Sequence, residues 1–269
     1  MFAILAWVVH GIRTMLAICI VRSQRYLGGV MIASVSLDLD NKWSYMKTHG
    51  DAGWESFPSY LEIVVPRVLE LFDELGITMT FFVVGQDADR DENHPALRSI
   101  ADCGHEIGNH SYHHEPWLHL YSKDRIVEEI VRSEECIERA TGKKTIGFRG
   151  PGFSYSQDVL QVLCDRGDQY DASTFPTFLG PIARAYYFLH SGLGKKERDQ
   201  RTHLFGDWNA GFQRLRPFRW QFENGSLVEV PITTMPWFKV PIHLSYAKYL
   251  ATFSRFVAAS YFYSALNFC

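Results

Sequence analysis

Continuous apolar runs alternate with amphipathic stretches along most of the chain. The runs are rich in β-branched residues, as buried strands are, and the stretches between them repeat their apolar positions at helical spacing. The clearest of these stretches carries Ile126, Ile130 and Ile137 on one face, and it starts at a serine and ends at a glycine. The pattern predicts strands at residues 29–37, 77–84, 105–110, 170–174 and 226–233, with a further strand, the fourth in chain order, leading into the segment 146–152. It predicts helices at residues 66–76, 94–104, 122–142, 156–167 and 244–268.

The order of these elements predicts an α/β fold in which helices cover a mostly parallel sheet. No glycine-rich fingerprint follows the first strand, so a barrel or partial barrel is favoured over a doubly wound open sheet. Residues 28–269 are interpreted as one domain, a size close to the upper limit for a single hydrophobic core. Within it, the aromatic and basic residues 178–224 break the regular pattern and are interpreted as an irregular insertion.

The N-terminal residues 1–27 do not match a standard targeting segment. The run is apolar, but His10 and Arg13 interrupt it, and no positive charge precedes it as a secretory signal requires. We interpret it as a leader of uncertain function or a weak membrane anchor, and membrane association stays open.

Charge and cysteine content narrow the function classes. The net charge of -3 and a pI near 6.4 provide no basic surface for a nucleic acid partner. The five cysteines are dispersed without C-x-x-C spacing, which argues against a disulfide framework or a zinc ribbon. Such cysteines slightly favour a reducing, cytoplasmic compartment.

Polar side chains gather where the predicted strands end. In parallel α/β folds, chemistry concentrates at the carboxyl ends of the strands. Six residues satisfy this rule: Asp38 and Asp40 after the first strand, His110 and His114 after the third, Arg149 after the fourth, and Asp171 in the fifth.

Two imidazoles and one carboxylate make a zinc site with an open fourth position. On a helical turn, His110 and His114 share a face, although His110 and His113 form an alternative pair. Asp38 and Asp40 point the same way because alternate strand residues share a face. One of them can bind a metal while the other takes a proton from water.

Four motifs then resemble those of one family. "SLDLDNKW", "HSYHH", "FRGPG" and "YDAST" are similar to the motifs of the polysaccharide deacetylases, the NodB-homology carbohydrate esterases. The resemblance covers roughly Val30 to Ile232, and the H-S-x-x-H form is its most specific part. It implies a distorted (β/α) barrel and a divalent metal, usually zinc. The implied reaction is hydrolytic removal of acetyl from an N-acetylated glycan without a covalent intermediate.

The resemblance also implies roles for the acidic residues and histidines. Asp38 would be the general base, and Asp40, His110 and His114 would bind the metal. The family usually has two adjacent aspartates, whereas Leu39 separates them here, so the assignment of the two aspartates stays open.

Further roles follow from the third and fourth motifs. Arg149 would orient Asp38 through a charge-assisted hydrogen bond. Pro151 and Gly152 would contact the substrate, with the backbone N–H of Gly152 as the oxyanion donor. Asp171 would partner the general acid.

The general acid itself has no clear counterpart. The family supplies a histidine from a late L-x-H motif, and only "PIHL" with His243 has similar letters. That position, just before a predicted helix, is more typical of a packing or capping histidine. We expect the last strand of the barrel and its histidine to lie beyond Cys269, which would leave the barrel incomplete at its C-terminus.

Three alternatives remain at this point. An iron(II) oxygenase also uses two histidines and a carboxylate, but on a β-rich scaffold with a different motif order. The same barrel acting on a small or cyclic amide would show the same motifs. A weakly active or inactive carbohydrate-binding homologue would lack the general acid.

Overall fold

The computed structural model describes residues 34–190, 208–242 and 244–268. The predicted leader at residues 1–27, most of the first predicted strand, and His243 lie outside the described residues. Within the described part, no helix combines the length and the apolarity needed to cross a membrane.

Strands from the whole described chain form one sheet. Their order is β1-β2-β3-β4-β5-β7-β6, and every neighbouring pair is parallel except the antiparallel pair of β6 and β7. The first five strands follow each other in chain order, as in a barrel wall, whereas a doubly wound sheet reverses its order beside the first strand. The prediction of an α/β fold of barrel type is confirmed. The strands are β1 (Ser36–Leu39), β2 (Thr80–Val83), β3 (Glu106–Asn109), β4 (Gly147–Phe148), β5 (Tyr170–Asp171), β6 (Phe218–Phe222) and β7 (Gly225–Glu229).

Helices connect the strands and cover one face of the sheet. They are α1 (Lys42–His49), α2 (Leu61–Leu75), α3 (Gly85–Ala88), α4 (His94–Asp102), α5 (Lys123–Thr141), α6 (Gln157–Arg166), α7 (Gly180–His190), α8 (Leu244–Phe253) and α9 (Arg255–Phe268). The predicted ends of α5 and α6 are confirmed. Ser156 accepts a hydrogen bond from the N–H of Val159 at the start of α6, and both helices end at a glycine in the left-handed region.

Helix α2 begins five residues earlier than the pattern predicted. Leu61, Val65 and Leu69 are buried at spacings of four, so the apolar face extends toward the N-terminus. Pro66 consequently lies inside the helix rather than in its first turn. Both Pro66 and Glu62, whose carbonyl loses its usual N–H partner, are exposed, so water can satisfy that carbonyl.

The interpretation of residues 178–224 as an irregular insertion was wrong at both ends. Residues 180–190 form α7, and β6 forms a hairpin with β7 around the turn at Asn224. Phe218, Trp220 and Phe222 alternate with exposed residues, which is the period of a half-buried strand. The helix predicted at residues 244–268 is likewise two helices, separated at Ser254.

The apolar core lies between the sheet and its helices. Leu39, Phe81, Val83 and Ile107 are buried in one cluster with residues of α2, α4 and α5. A second cluster joins β4 and β7 to α5 and α6, and its buried members include Phe148, Ile130, Leu163 and Leu227. Alternate strand residues point to the opposite, inner face, where polar groups collect.

Candidate active site

Asp38 lies inside the first strand, whereas the sequence predicted that it follows this strand. Strand β1 ends at Leu39, so Asp38 lies within the strand and Asp40 directly follows it. Arg149, the first residue after β4, reaches this strand across the inner face. Its Nη1 donates to Asp38 Oδ1 (2.7 Å), its Nη2 to Ser36 Oγ (2.9 Å) and its Nε to the carbonyl of Ala172 (3.1 Å).

Packing fixes the plane of this guanidinium. Arg149 is buried, and its guanidinium carbon lies 4.2 Å from the centre of the Phe82 ring. Phe82 stands beside Asp38 in the parallel register of β1 and β2. Arg149 and Asp38 therefore meet in a defined geometry that three hydrogen bonds and one ring contact maintain.

Asp40, His110 and His114 converge on one point. Asp40 Oδ1 lies 3.2 Å from His114 Nε2 and 3.6 Å from His110 Nε2. One potential ligand atom from each of the three residues lies within 4.8 Å of the other two. The other oxygen of Asp40 accepts a hydrogen bond from the Tyr45 hydroxyl (3.1 Å), and the Tyr60 hydroxyl donates to the Asp40 carbonyl.

Hydrogen bonds orient the His110 ring. Its Nδ1 lies 2.5 Å from the carbonyl of Arg149, so Nδ1 carries the proton and Nε2 is left as an electron-pair donor. A histidine held in this way by a backbone carbonyl is typical of metal-binding histidines.

A tight turn, rather than a helix, brings His114 back toward His110. Ser111 and His114 have φ of 59° and 53°, in the left-handed region that few non-glycine residues adopt. Asn109 Oδ1 accepts from the N–H of Ser111 (2.9 Å), and the N–H of Gly85 donates to the Ser111 carbonyl (2.9 Å). The helical turn considered for the H-x-x-x-H spacing is therefore absent, and strained backbone provides the same convergence.

The other histidines of the cluster have different partners. The His113 ring is hydrogen-bonded to Glu129 of α5, which also accepts from the backbone N–H of His113. His105 Nδ1 accepts from the N–H of Met79 (3.2 Å). The structure thus brings His114, and not His113, to His110 and Asp40.

The protonation of the three converging residues is linked. Burial alone would raise the pKa of Asp40, but the charges of His114 and His110 outweigh it and lower that pKa. Burial would lower the pKa of His114, but Asp40 outweighs it and raises that pKa, whereas burial lowers the pKa of His110. A cation bound between the three residues would compete with protons for the same nitrogen and oxygen atoms.

The donor set fits a divalent cation. Asp40 Oδ1 is buried, and none of the described residues forms a hydrogen bond to it. An unsatisfied buried carboxylate oxygen is costly unless a positive group completes its surroundings. Together with two imidazole nitrogens, it makes a three-ligand site of the kind that binds catalytic metals.

The loop after β4 carries Pro151 and Gly152. Gly152 has φ of 60°, and a Cβ at this position would lie 2.8 Å from the Cβ of Pro116. Both the backbone conformation and the available space therefore favour glycine. Pro151 is buried and Gly152 is exposed, and the oxyanion role of the Gly152 N–H stays a prediction.

Asp171 does not join the inner cluster. It ends β5, beside Phe148 in register, so its side chain lies on the helix-covered face of the sheet. Its carboxyl accepts from Ser173 Oγ (2.6 Å) and from the N–H of Ser173 (3.1 Å). The predicted strand 170–174 ends at Asp171, and the predicted partnership of Asp171 with a general acid stays a prediction.

Three residues of this region were not anticipated from the sequence. Tyr45 and Tyr60 contact Asp40, and Glu229 lies beside Asp171. The sequence did contain a signal for Glu229: a carboxylate inside the apolar run "LVEVP" is expected to be buried, and a buried carboxylate requires a partner. The tyrosines had none, since their contacts depend on how α1 and α2 pack.

The region that carries this site is similar to known proteins. Residues 50–170 match the family model described as polysaccharide deacetylase, and this range includes His110, His114 and Arg149. The peptidoglycan deacetylase of Helicobacter pylori is 30% identical over 112 residues, 42% of this chain and 37% of that protein. The peptidoglycan-N-acetylmuramic acid deacetylase of Bacillus subtilis is 36% identical over 133 residues, 49% of this chain and 46% of that protein.

A solved structure supports the fold. A crystal structure from Mycobacterium smegmatis, assigned as a polysaccharide deacetylase, superposes with a TM-score of 0.55 at 22% identity, covering 84% of this chain and 72% of that one. The chain aligns with less than half the length of the two curated relatives named above. The resemblance of the motifs to the polysaccharide deacetylases is confirmed over residues 50–170, where the family model matches.

Proposed function

We propose that this chain is a metal-dependent hydrolase that removes N-acetyl groups from a polysaccharide or another N-acetylated sugar. The observation that carries the proposal is the convergence of Asp40, His110 and His114 beside the Arg149–Asp38 pair. The names of the curated relatives agree with it, since they describe deacetylation of peptidoglycan and, for a protein of Azorhizobium caulinodans, of chitooligosaccharides.

The geometry favours one assignment of the two aspartates. Asp40 directs its unsatisfied oxygen at both histidine Nε2 atoms, as a metal ligand would. Asp38 instead receives the Arg149 guanidinium, which orients a carboxylate without covering both of its oxygens. We therefore assign Asp40 as the ligand and Asp38 as the general base.

Zinc is the metal we propose, because two imidazoles and one carboxylate with an open position are typical of catalytic zinc. A bound cation supplies positive charge that polarises an acetyl carbonyl and acidifies water. Asp38 then accepts the proton of the attacking water, and the Gly152 N–H donates to the oxygen that becomes negative.

The leaving amine must also receive a proton. His243 lies outside the described residues, and Asp171 faces the other side of the sheet. Asp171 is therefore not proposed as the donor of this proton.

Acetate release tests the proposal. The 269-residue chain is stripped with a chelator, reloaded with zinc, and incubated with N-acetylated chitooligosaccharides, peptidoglycan fragments and small or cyclic amides. We expect acetate from at least one glycan only after reloading. Sugar binding with full zinc occupancy but no acetate would overturn the hydrolase and support a binding homologue. Turnover of amides alone would change the substrate class.

A further inference from the structure

Two carboxyl groups lie side by side beneath the strand-end loops, on the opposite side of the sheet from the metal ligands. Asp171 of β5 and Glu229 of β7 are partners in the parallel register, and neither is exposed to solvent. Partners in adjacent strands have Cβ atoms about 5 Å apart, so their carboxyl groups can meet.

Each carboxyl also accepts hydrogen bonds from the protein. Glu229 Oε1 accepts from the N–H of Thr174 (3.0 Å), and Oε2 accepts from the Trp220 indole (2.8 Å). The Asp171 carboxyl accepts from the hydroxyl and the N–H of Ser173. These donors can support one negative charge, but two adjacent carboxylates would repel each other in a dry site.

Positive charge does not offset that repulsion. Among the described residues, no lysine, arginine or histidine forms an ion pair with either carboxyl, and the guanidinium of Arg149 donates to the Ala172 carbonyl, Asp38 and Ser36. The elements packed around the pair contribute the apolar cluster of β4, β7, α5 and α6, whose titratable members are Tyr121, Tyr155 and Cys164. Burial first, and then Glu229, raises the pKa of Asp171 well above its ordinary value, and burial raises the pKa of Glu229.

We propose that Asp171 and Glu229 share one proton at neutral pH, carried by Asp171, and act as a positioning pair for the catalytic loop. The connection to that loop is continuous. Ser173 donates to Asp171 through its hydroxyl and accepts the N–H of Gly150 (2.8 Å). The neighbouring carbonyl of Ala172 holds Arg149 Nε, and Arg149 in turn orients Asp38.

The shared proton makes the loop sensitive to alkaline pH. An acid whose pKa is raised in the folded state stabilises the fold fully below its unfolded pKa, and this contribution is lost as pH rises through the folded pKa. Above that pH both carboxyls are ionised, and their repulsion pushes β5 and β7 apart and disturbs the loop after β5 that carries Ser173 and Thr174. Replacing either acid by its amide removes the second charge and therefore the alkaline loss.

Thermal unfolding between about pH 6 and about pH 10 tests the pair in wild type, Glu229→Gln, Asp171→Asn and the control Glu223→Gln. Glu223 makes a matched control because it is an exposed glutamate of the same hairpin. We expect the Tm of wild type and of the control to fall more steeply toward alkaline pH than that of either pair variant. Parallel curves of Tm against pH in all four proteins would refute the proposal that Asp171 and Glu229 share a proton.

Steady-state kinetics test whether the pair positions the catalytic loop, and only this experiment rests on the proposed function. Glu229→Ala should lower kcat/KM about tenfold with little change in KM, and Glu229→Gln should recover most of that loss and move the alkaline limb of the pH profile to higher pH. Equal losses in the two variants, or an unmoved limb, would refute positioning through a shared proton. If neither wild type nor any variant releases acetate, the proposed function is refuted. The unfolding curves still test whether Asp171 and Glu229 share a proton.

Discussion

Replacing Arg149 by lysine is the sharpest test of the arrangement around Asp38. Lysine keeps the positive charge but cannot place three donors in the plane that Asp38, Ser36 and the Ala172 carbonyl define. Loss or misdirection of the charged hydrogen bond to Asp38 costs about 1.5–3 kcal/mol. Since about 1.4 kcal/mol is a factor of ten, kcat/KM should fall about 10- to 100-fold.

Zinc content should stay unchanged in Arg149→Lys. Among the described residues, the Arg149 side chain forms no hydrogen bond to the proposed metal ligands, and the contact to His110 is made by the backbone carbonyl, which lysine retains. The assay is acetate release by the zinc-loaded chain, with metal analysis of the same samples. Arg139→Lys is the control, because Arg139 is an exposed arginine paired with Asp89.

Two results would contradict the reasoning. A kcat/KM within about threefold of wild type is a smaller loss than one charged hydrogen bond would cause. It would show that the guanidinium geometry does not orient Asp38 for catalysis. A parallel loss of zinc would show that Arg149→Lys disturbs the ligands, and the kinetic effect could not then be assigned to the base.

Three further predictions use other measurements. His110→Ala and His114→Ala should each abolish stoichiometric zinc while His113→Ala retains it, and full zinc in the His114 variant would refute the ligand assignment. Asp38→Asn should keep zinc but lose about 100-fold or more in acetate release; a variant that turns over normally cannot have lost its base. Burial raises the pKa of Asp168 to about 7, so the stability contributed by its protonated form is lost as pH rises through 7. Thermal unfolding should therefore show Asp168→Asn to be more stable than wild type at about pH 8, by about 1 kcal/mol in the free energy of unfolding after solvent screening, but not at about pH 4.

Regular elements were predictable where local chemistry decides them. Helix α5 begins after Ser122 and ends at Gly142 as its capping residues indicate, and its apolar spacing marks the face that is buried. Helix α2 was mispredicted because Pro66 was read as a start signal, whereas burial of Leu61 and Val65 extends the helix past it. A proline on an exposed face leaves a carbonyl that water can satisfy, so tertiary packing overrides the local signal.

The hairpin of β6 and β7 shows another limit. Alternation at Phe218, Trp220 and Phe222 and the turn at Asn224 were present in the sequence, but the placement of β7 beside β5 joins segments that are remote in sequence. The local residue pattern of a strand does not identify a pairing partner that is remote in sequence.

By itself, the sequence determined the α/β order, the placement of polar residues at or near strand ends and the motif resemblance, because side-chain periodicity and strand direction follow from local residue types. Only the tertiary structure decided that Asp40 faces His110 and His114, that Arg149 holds Asp38, and that Asp171 lies with Glu229 on the opposite face. Those outcomes depend on side-chain directions and on a strained turn at Ser111 and His114. Such features are set by packing among residues tens of positions apart, which a spacing pattern does not encode.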